Sequence, residues 1–275
     1  VIFAGTGSIS GSGASYFKTI EIPGVLSLGS SVIRVSGDWK QTGTFTASGG
    51  TVIFNGSTVM TAPQNAQFHH VVLWGSLTAP TGTIAVSGNW INDGPFSNNN
   101  GTVHFNGGGR ISGAVIPVFR HVLVSGVVTG HASQIRIQGD WNAEAGVFHH
   151  GGGRVVFSGN SAQTVRTGGA WNGSANNWKN NWNSLEVANA SAGGVSFAGG
   201  FKAQELLCTT PNAWLYFQHQ QGVTNVFVVE APGGLSLHGA SGQLIKLRRL
   251  GGSTGDRWEL APDGGGWSVS YVDVQ

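Results

Sequence analysis

The side chains able to do acid–base, metal or sugar chemistry are few, and their spacing decides what each can do. Among 12 Asp and Glu, Asp38 and Asp140 hold equivalent positions, with Asn89 between them. Glycoside hydrolysis needs two carboxyls about 5–10 Å apart across one cleft. With the stacking of coils inferred below, the two aspartates are expected about 19 Å apart, too far for that role. Hydrogen bonding at chain corners suits them better. No acidic cluster accompanies a Lys or Arg base, as Ca²⁺-assisted lyase chemistry would require. His70 and His121 share one repeat position, next to His69 and Arg120. A separation of about 10 Å is expected for them, whereas metal ligands converge to about 2.0–2.2 Å from the ion. His149-His150 precedes Gly151 in a turn-like stretch. Cys208 is the single cysteine, so neither a disulfide framework nor a Cys-based metal site is expected. No cofactor is expected.

The runs Gly107–Gly109 and Gly151–Gly153 are followed by Arg110 and Arg154 and a strand-like segment. A phosphate loop would instead open a helix, usually with a Lys. Tight corners are the expectation for both. The stretch 169–183 carries Trp171, Trp178 and Trp182 among six Asn. Irregular loops on rigid scaffolds are where binding residues collect. Carbohydrate contact is therefore assigned to Trp171, Trp178, Asn172 and Asn177, with Trp182 continuing the core. The competing reading has these Trp residues covering the flank or an end of the fold.

What must position these residues is a repeat. Gly37-Asp38-Trp39 returns as Gly88-Asn89-Trp90 and Gly139-Asp140-Trp141, at intervals of 51 residues (88 − 37 and 139 − 88). Val52-Ile-Phe-Asn-Gly56 returns as Val103-His-Phe-Asn-Gly107 and Val155-Val-Phe-Ser-Gly159. Phe17, Phe68 and Phe119 each open a strand-like run, and Phe45, Phe96 and Phe148 follow the Trp positions. Six short runs rich in Val, Ile, Thr and Phe are read within the first repeat, broken by Gly, Asn and Ser. They predict an all-β chain: a right-handed parallel β-helix (β-solenoid) with ~51-residue repeats, two coils of three strands per repeat. A propeller of hairpins is the alternative, disfavoured because tight hairpin turns do not separate the runs. Trp39, Trp90, Trp141, Phe54, Phe105, Phe157, Phe17, Phe68 and Phe119 are assigned to structural core columns. Gly and Asn are expected at positive-φ corners. Residues 1–204 read as about four copies, the last degenerate with an insertion at 171–181, and residues 205–275 as less regular continuing or terminal coils.

Composition agrees with a packed chain. Gly is 46 of 275 residues and charged residues are 9%, yet 40% are hydrophobic and 10 are Trp, which a disordered chain would lack. The net charge is +2. The densest basic run, Lys246-Leu247-Arg248-Arg249, reads as a solvated strand edge, so no nucleic-acid partner is expected. No apolar run of about 20 residues suggests a membrane span. The chain opens at Val1 without Met and closes within a strand-like run, so continuation into further repeats is expected.

Gly88 to Gly107, with its Gly-Asn-Trp, Gly-x-Phe-type and Gly-Thr-Val-x-Phe-Asn-Gly elements, resembles the repeats of large secreted bacterial β-strand-repeat proteins, the filamentous-haemagglutinin-like and autotransporter-like surface proteins. Arg257-Trp-Glu-Leu and Ser268–Val274 resemble a segment that recurs in them. The resemblance implies an extracellular, cell-surface location and a structural or adhesive role, without a catalytic motif to carry over. The chain is thus expected not to be an enzyme, and to pair with other copies of itself or further repeats, or with glycans. A carbohydrate-binding module is the alternative, and a polysaccharide-degrading β-helix a lesser one.

Overall fold

The structure is a computed structural model, described for residues 1–62, 65–169, 180–218, 226–251, 258–264 and 266–275. Among these residues every regular element is a β-strand, and the ladders between strands are parallel. The chain divides into two compact units, Val1–Thr129 and Gly130–Gln275.

The first unit is a three-sheeted solenoid. One sheet stacks Thr6–Ile9, Val25–Leu28, Thr44–Ala47, Ala66–Phe68, Thr83–Val86, Thr102–Phe105 and His121–Val124 in that order. A second stacks Ala14–Phe17, Val32–Val35, Thr51–Phe54, His70–Leu73, Trp90–Asn92, Gly108–Ser112 and Val127–Thr129. The third stacks Ile20–Ile22, Trp39–Gln41, Ser57–Thr61, Ser76–Thr78 and Phe96–Ser97. Thr6 pairs with Val25, and Val25 with Thr44, so one coil takes 19 residues (25 − 6 and 44 − 25).

That coil length corrects the expected two coils per repeat. From Ile20 to Phe68 the chain forms eight strands, including Trp39–Gln41 and Ala66–Phe68, which the six-run reading overlooks. Both are three residues long, too short for alternation to stand out. Eight strands on three faces make two and two-thirds turns, so residues one repeat apart fall on different sheets. Trp39 stacks between Ile20 and Met60 in the third sheet, whereas Trp90 pairs with Val71 in the second. The assigned columns are therefore regrouped. Phe17, Val35, Phe54 and Leu73 share one column, and Phe68, Val86, Phe105 and Val124 another.

Most of the assigned residues do build the core. In the first unit Trp39, Trp90, Phe54, Phe68, Phe105 and Phe119 are buried, whereas Phe17, on the first strand of its sheet, is only half-buried. The rings meet edge-on or tilted: Trp39 lies 4.8 Å from Phe45 and 5.3 Å from Phe68 between centroids, and Trp90 lies 5.0 Å from Phe96 and 5.6 Å from Phe119. Such pairs add about 0.5–1.5 kcal/mol each beyond burial. Trp39 Nε1 donates to Gln41 Oε1, and Trp90 Nε1 to Asn92 Oδ1, so each indole finds a polar partner inside the core.

Several corner glycines serve close packing rather than positive φ. A Cβ on Gly24 would fall 2.2 Å from Gly5 O, on Gly43 2.0 Å from Gly24 O, on Gly75 2.2 Å from Gly56 O and on Gly94 2.2 Å from Gly75 O. None of these four has a positive φ. Each coil's corner rests on the carbonyl of the coil before it, leaving no room for a side chain. Positive φ is found elsewhere, for example at Gly151 and Gly152.

The second unit has longer coils. One of its sheets stacks Trp141–Asn142, Gln163–Arg166, Val195–Ala198, Trp214–Gln218, Ile245–Leu250 and Val272–Val274. Its other strands include long ones that serve two faces. Asn180–Val187 pairs through its start with Val147–His149 and through its end with Arg154–Phe157. Phe201–Cys208 and Val226–His238 stack on it in turn. Trp141, Phe157 and Trp182 are buried, with Trp182 5.2 Å from Trp141 and 5.0 Å from Phe148. The core continues through Phe197, Phe217 and Phe227. The run Lys246–Arg249 is not an edge: its strand lies between Trp214–Gln218 and Val272–Val274.

Candidate functional site

The residues assigned to carbohydrate contact, Trp171, Trp178, Asn172 and Asn177, lie outside the described residues. The other polar candidates are dispersed. His70 stands in the second sheet opposite Thr51, and His121 in the first opposite Thr102, so they do not share a column as the repeat implied. His70 Nδ1 accepts a hydrogen bond from Asn89 N at 2.9 Å, and burial together with neighbouring His69 lowers its pKa below the usual 6.5. His150 behaves alike, accepting from Gly152 N at 2.8 Å, with burial and His149 lowering its pKa. A ring nitrogen that accepts from backbone N–H must be unprotonated, which fits both shifts. Among the described residues no three His, Cys, Asp or Glu side chains converge as a metal site would require.

The corner Asx residues bond the backbone of the following coil. Asn89 Oδ1 accepts from Arg110 N at 3.0 Å, and Asp140 Oδ1 from Thr164 N at 2.8 Å. Each stabilises coil stacking locally.

The acidic pair that the fold does assemble is Glu186 with Glu205, on neighbouring strands of the second unit. Arg154 Nη1 reaches Glu186 at 2.9 Å and Nη2 reaches Glu205 at 3.3 Å, while Arg154 Nε donates to Ser184 Oγ at 3.0 Å. Ser184 Oγ also donates to Glu205. Both carboxylates are engaged by the one guanidinium, which fixes their orientation in a charge-assisted network. Glu205 is in register with Ser184, 21 positions earlier (205 − 184), so the two glutamates sit two residues out of register on neighbouring strands, and no repeat spacing in the sequence signals them.

Two surfaces are chemically better suited to binding. On the outer face of the second unit, Trp214 and Tyr216 stand two residues apart on one strand, their rings 5.9 Å apart and within 13° of parallel. Lys246 Nζ lies 4.0 Å from the Trp214 ring centroid, and Arg248 pairs with Asp273 at 2.5 Å. Alternation along Ala213–Phe217 places these rings together on one face. In the first unit an open cavity of about 450 Å³ is lined by Gln41, Thr42, Thr44, Phe45, Asn65 and Gln67. The lining carries amides and hydroxyls and no formal charge, while the Phe45 ring itself is buried in the core, a surface of donors and acceptors suited to hydroxyl-rich ligands. Thr42 and Thr44 alternate along the sequence there, but Asn65 and Gln67 come from the next coil and only folding brings them in. No known protein family, curated protein or solved structure matches this sequence.

Proposed function

We propose that this chain is a structural or adhesive segment of a large extracellular bacterial surface protein or fibre, without catalytic activity of its own. The observation that carries the reading is the continuous parallel stacking of the first unit, Thr6 on Val25 on Thr44 and, after a longer coil, Gln67 on Thr46 and onward. A solenoid whose coils touch only their neighbours gains length by adding coils, and its stiffness comes from the stacked ladders. Ion pairs link neighbouring coils within each unit, Lys40 with Glu21 in the first and Arg154 with Glu186 and Glu205 in the second. Coil edges are templates for strand addition, and further coils or another copy of the chain are the proposed occupants. The resemblance of Gly88–Gly107 to secreted repeat proteins is what supports the location.

Electron microscopy of the purified chain over a concentration series tests this. Stiff particles that lengthen by association agree with it; compact, concentration-independent particles that never associate overturn it.

A carbohydrate-binding module is the second reading, favoured by the uncharged cavity beside Gln41 and Thr44. Glycan-array binding lost in Gln67→Ala would support it, and no binding to any glycan would exclude it.

A further inference from the structure

In the first unit, the outer face of the second sheet carries an unusual grouping. Tyr16, Arg34, Ile53, Val72 and Ile91 follow one another in register, one per coil. Tyr16 is 71% exposed, and Trp74, at the corner after Leu73, is 51% exposed. The Arg34 guanidinium carbon lies 5.6 Å from the Tyr16 ring centroid and 4.4 Å from that of Trp74. Among the described residues the Arg34 side chain forms no ion pair or hydrogen bond, and its Nε is buried without a partner. Ile53 and Val72, in line with it, are only 6% and 7% exposed despite facing away from the core.

A structural role accounts for part of this, since the Arg34 stem and its flanking rings cover apolar surface. It does not account for a guanidinium left without an anion between two exposed rings. Tyr, Trp and Arg are the residue types that dominate binding hot spots. A strand of four residues is about 13 Å wide and five stacked strands about 19 Å tall, far short of the roughly 800 Å² per partner of a standard protein interface. The strip suits one extended polymer chain rather than a folded partner.

We propose that the Tyr16–Arg34–Trp74 strip is a binding site for a linear acidic polysaccharide, its sugar faces stacking on the exposed rings and a uronate carboxylate pairing with Arg34. The carboxylate supplies the bidentate acceptor that the planar guanidinium lacks. The rings are already held in place by their contacts with the cation. The inference rests on this strip alone and stands whether or not the chain forms fibres.

The test is isothermal titration calorimetry of the whole chain with a galacturonate oligosaccharide, a neutral oligosaccharide of equal length and a poly-glutamate peptide. Saturable binding of the acidic sugar is expected, with Arg34→Gln and Trp74→Ala each weakening it about tenfold or more. Arg34→Lys keeps the charge and stem but loses the fork, and should also weaken it. Melting temperatures within a few degrees of the parent chain show that the variants fold. Binding of the neutral sugar or of poly-glutamate as tightly as the acidic sugar would overturn the proposal. So would an Arg34→Gln chain that binds like the parent, or no binding of the acidic sugar at all.

Discussion

Trp39 and Trp90 occupy the same place in a 51-residue sequence repeat yet stand on different faces of the solenoid, one paired with Ile20 and the other with Val71. The pattern repeats every eight strands while the coil closes every three. Each copy of the motif is therefore turned onto another sheet, and the Trp positions of successive copies do not stack on one another. Phe54 lies over Val35 and Phe17, large on small on large, a sequence of volumes that lets neighbouring coils interdigitate.

Truncating one of the buried indoles should be costly. Trp90→Ala is expected to lower stability by about 3–5 kcal/mol, because it leaves a void among Phe96 and Phe119 and strands Asn92 without the indole donor. Urea unfolding of the variant against the parent chain measures this. A loss below about 1 kcal/mol would mean that the coils collapse onto the space, which their close backbone packing argues against.

Corner glycines should divide into two classes. Gly75→Ala puts a Cβ 2.2 Å from Gly56 O, a contact with backbone that only coil displacement relieves. A loss of about 1–3 kcal/mol is expected, as for other overpacked positions. Gly108→Ala meets nothing within 4 Å and should leave the melting temperature nearly unchanged. Thermal unfolding of the two variants, side by side, makes the comparison.

Stability should fall on mild acidification. His70, His104 and His150 each have folded-state pKa values below the ordinary 6.5, principally because burial disfavours the charged ring. The unfolded chain then binds more protons than the folded one as pH drops below about 6.5. Their contribution is present above that value and is lost as pH falls through the folded values. A urea midpoint lower at pH 5.5 than at pH 7.5 is expected, with part of the difference removed by His70→Asn. Equal midpoints at the two pH values would contradict the expectation.

The Cys208 thiol should be inert until the chain unfolds. It is fully buried, and burial pushes its pKa from 9.0 up to about 11. Thiol-reactive reagent at pH 8 should label it only in denaturant. Because the folded state holds the proton more tightly, its stabilisation is complete below pH 9 and declines as pH rises toward 11. Cys208→Ala should flatten that decline, as read from denaturation midpoints between pH 8 and 10.

The class of fold is legible in the residues. Short runs such as Val25–Leu28 and Thr51–Phe54, the Gly-rich breaks and the recurrent aromatics suffice for a stacked β architecture, because alternation and core volume are local properties of a strand. The burial of Trp39, Trp90, Trp141 and Trp182 follows from the same pattern. The phase between repeat and coil is not legible. It depends on whether Trp39–Gln41 and Ala66–Phe68 form strands, and three residues carry too little periodicity to say. Packing decides it, since a coil closes only when the backbone ladders of successive turns meet in register. The same closure brings Glu186 beside Glu205 on Arg154, places Asn65 and Gln67 beside Thr44, and sets Arg34 between Tyr16 and Trp74. These neighbours lie about one to two coils apart in sequence, so their proximity is a property of the solenoid's pitch and of no local segment.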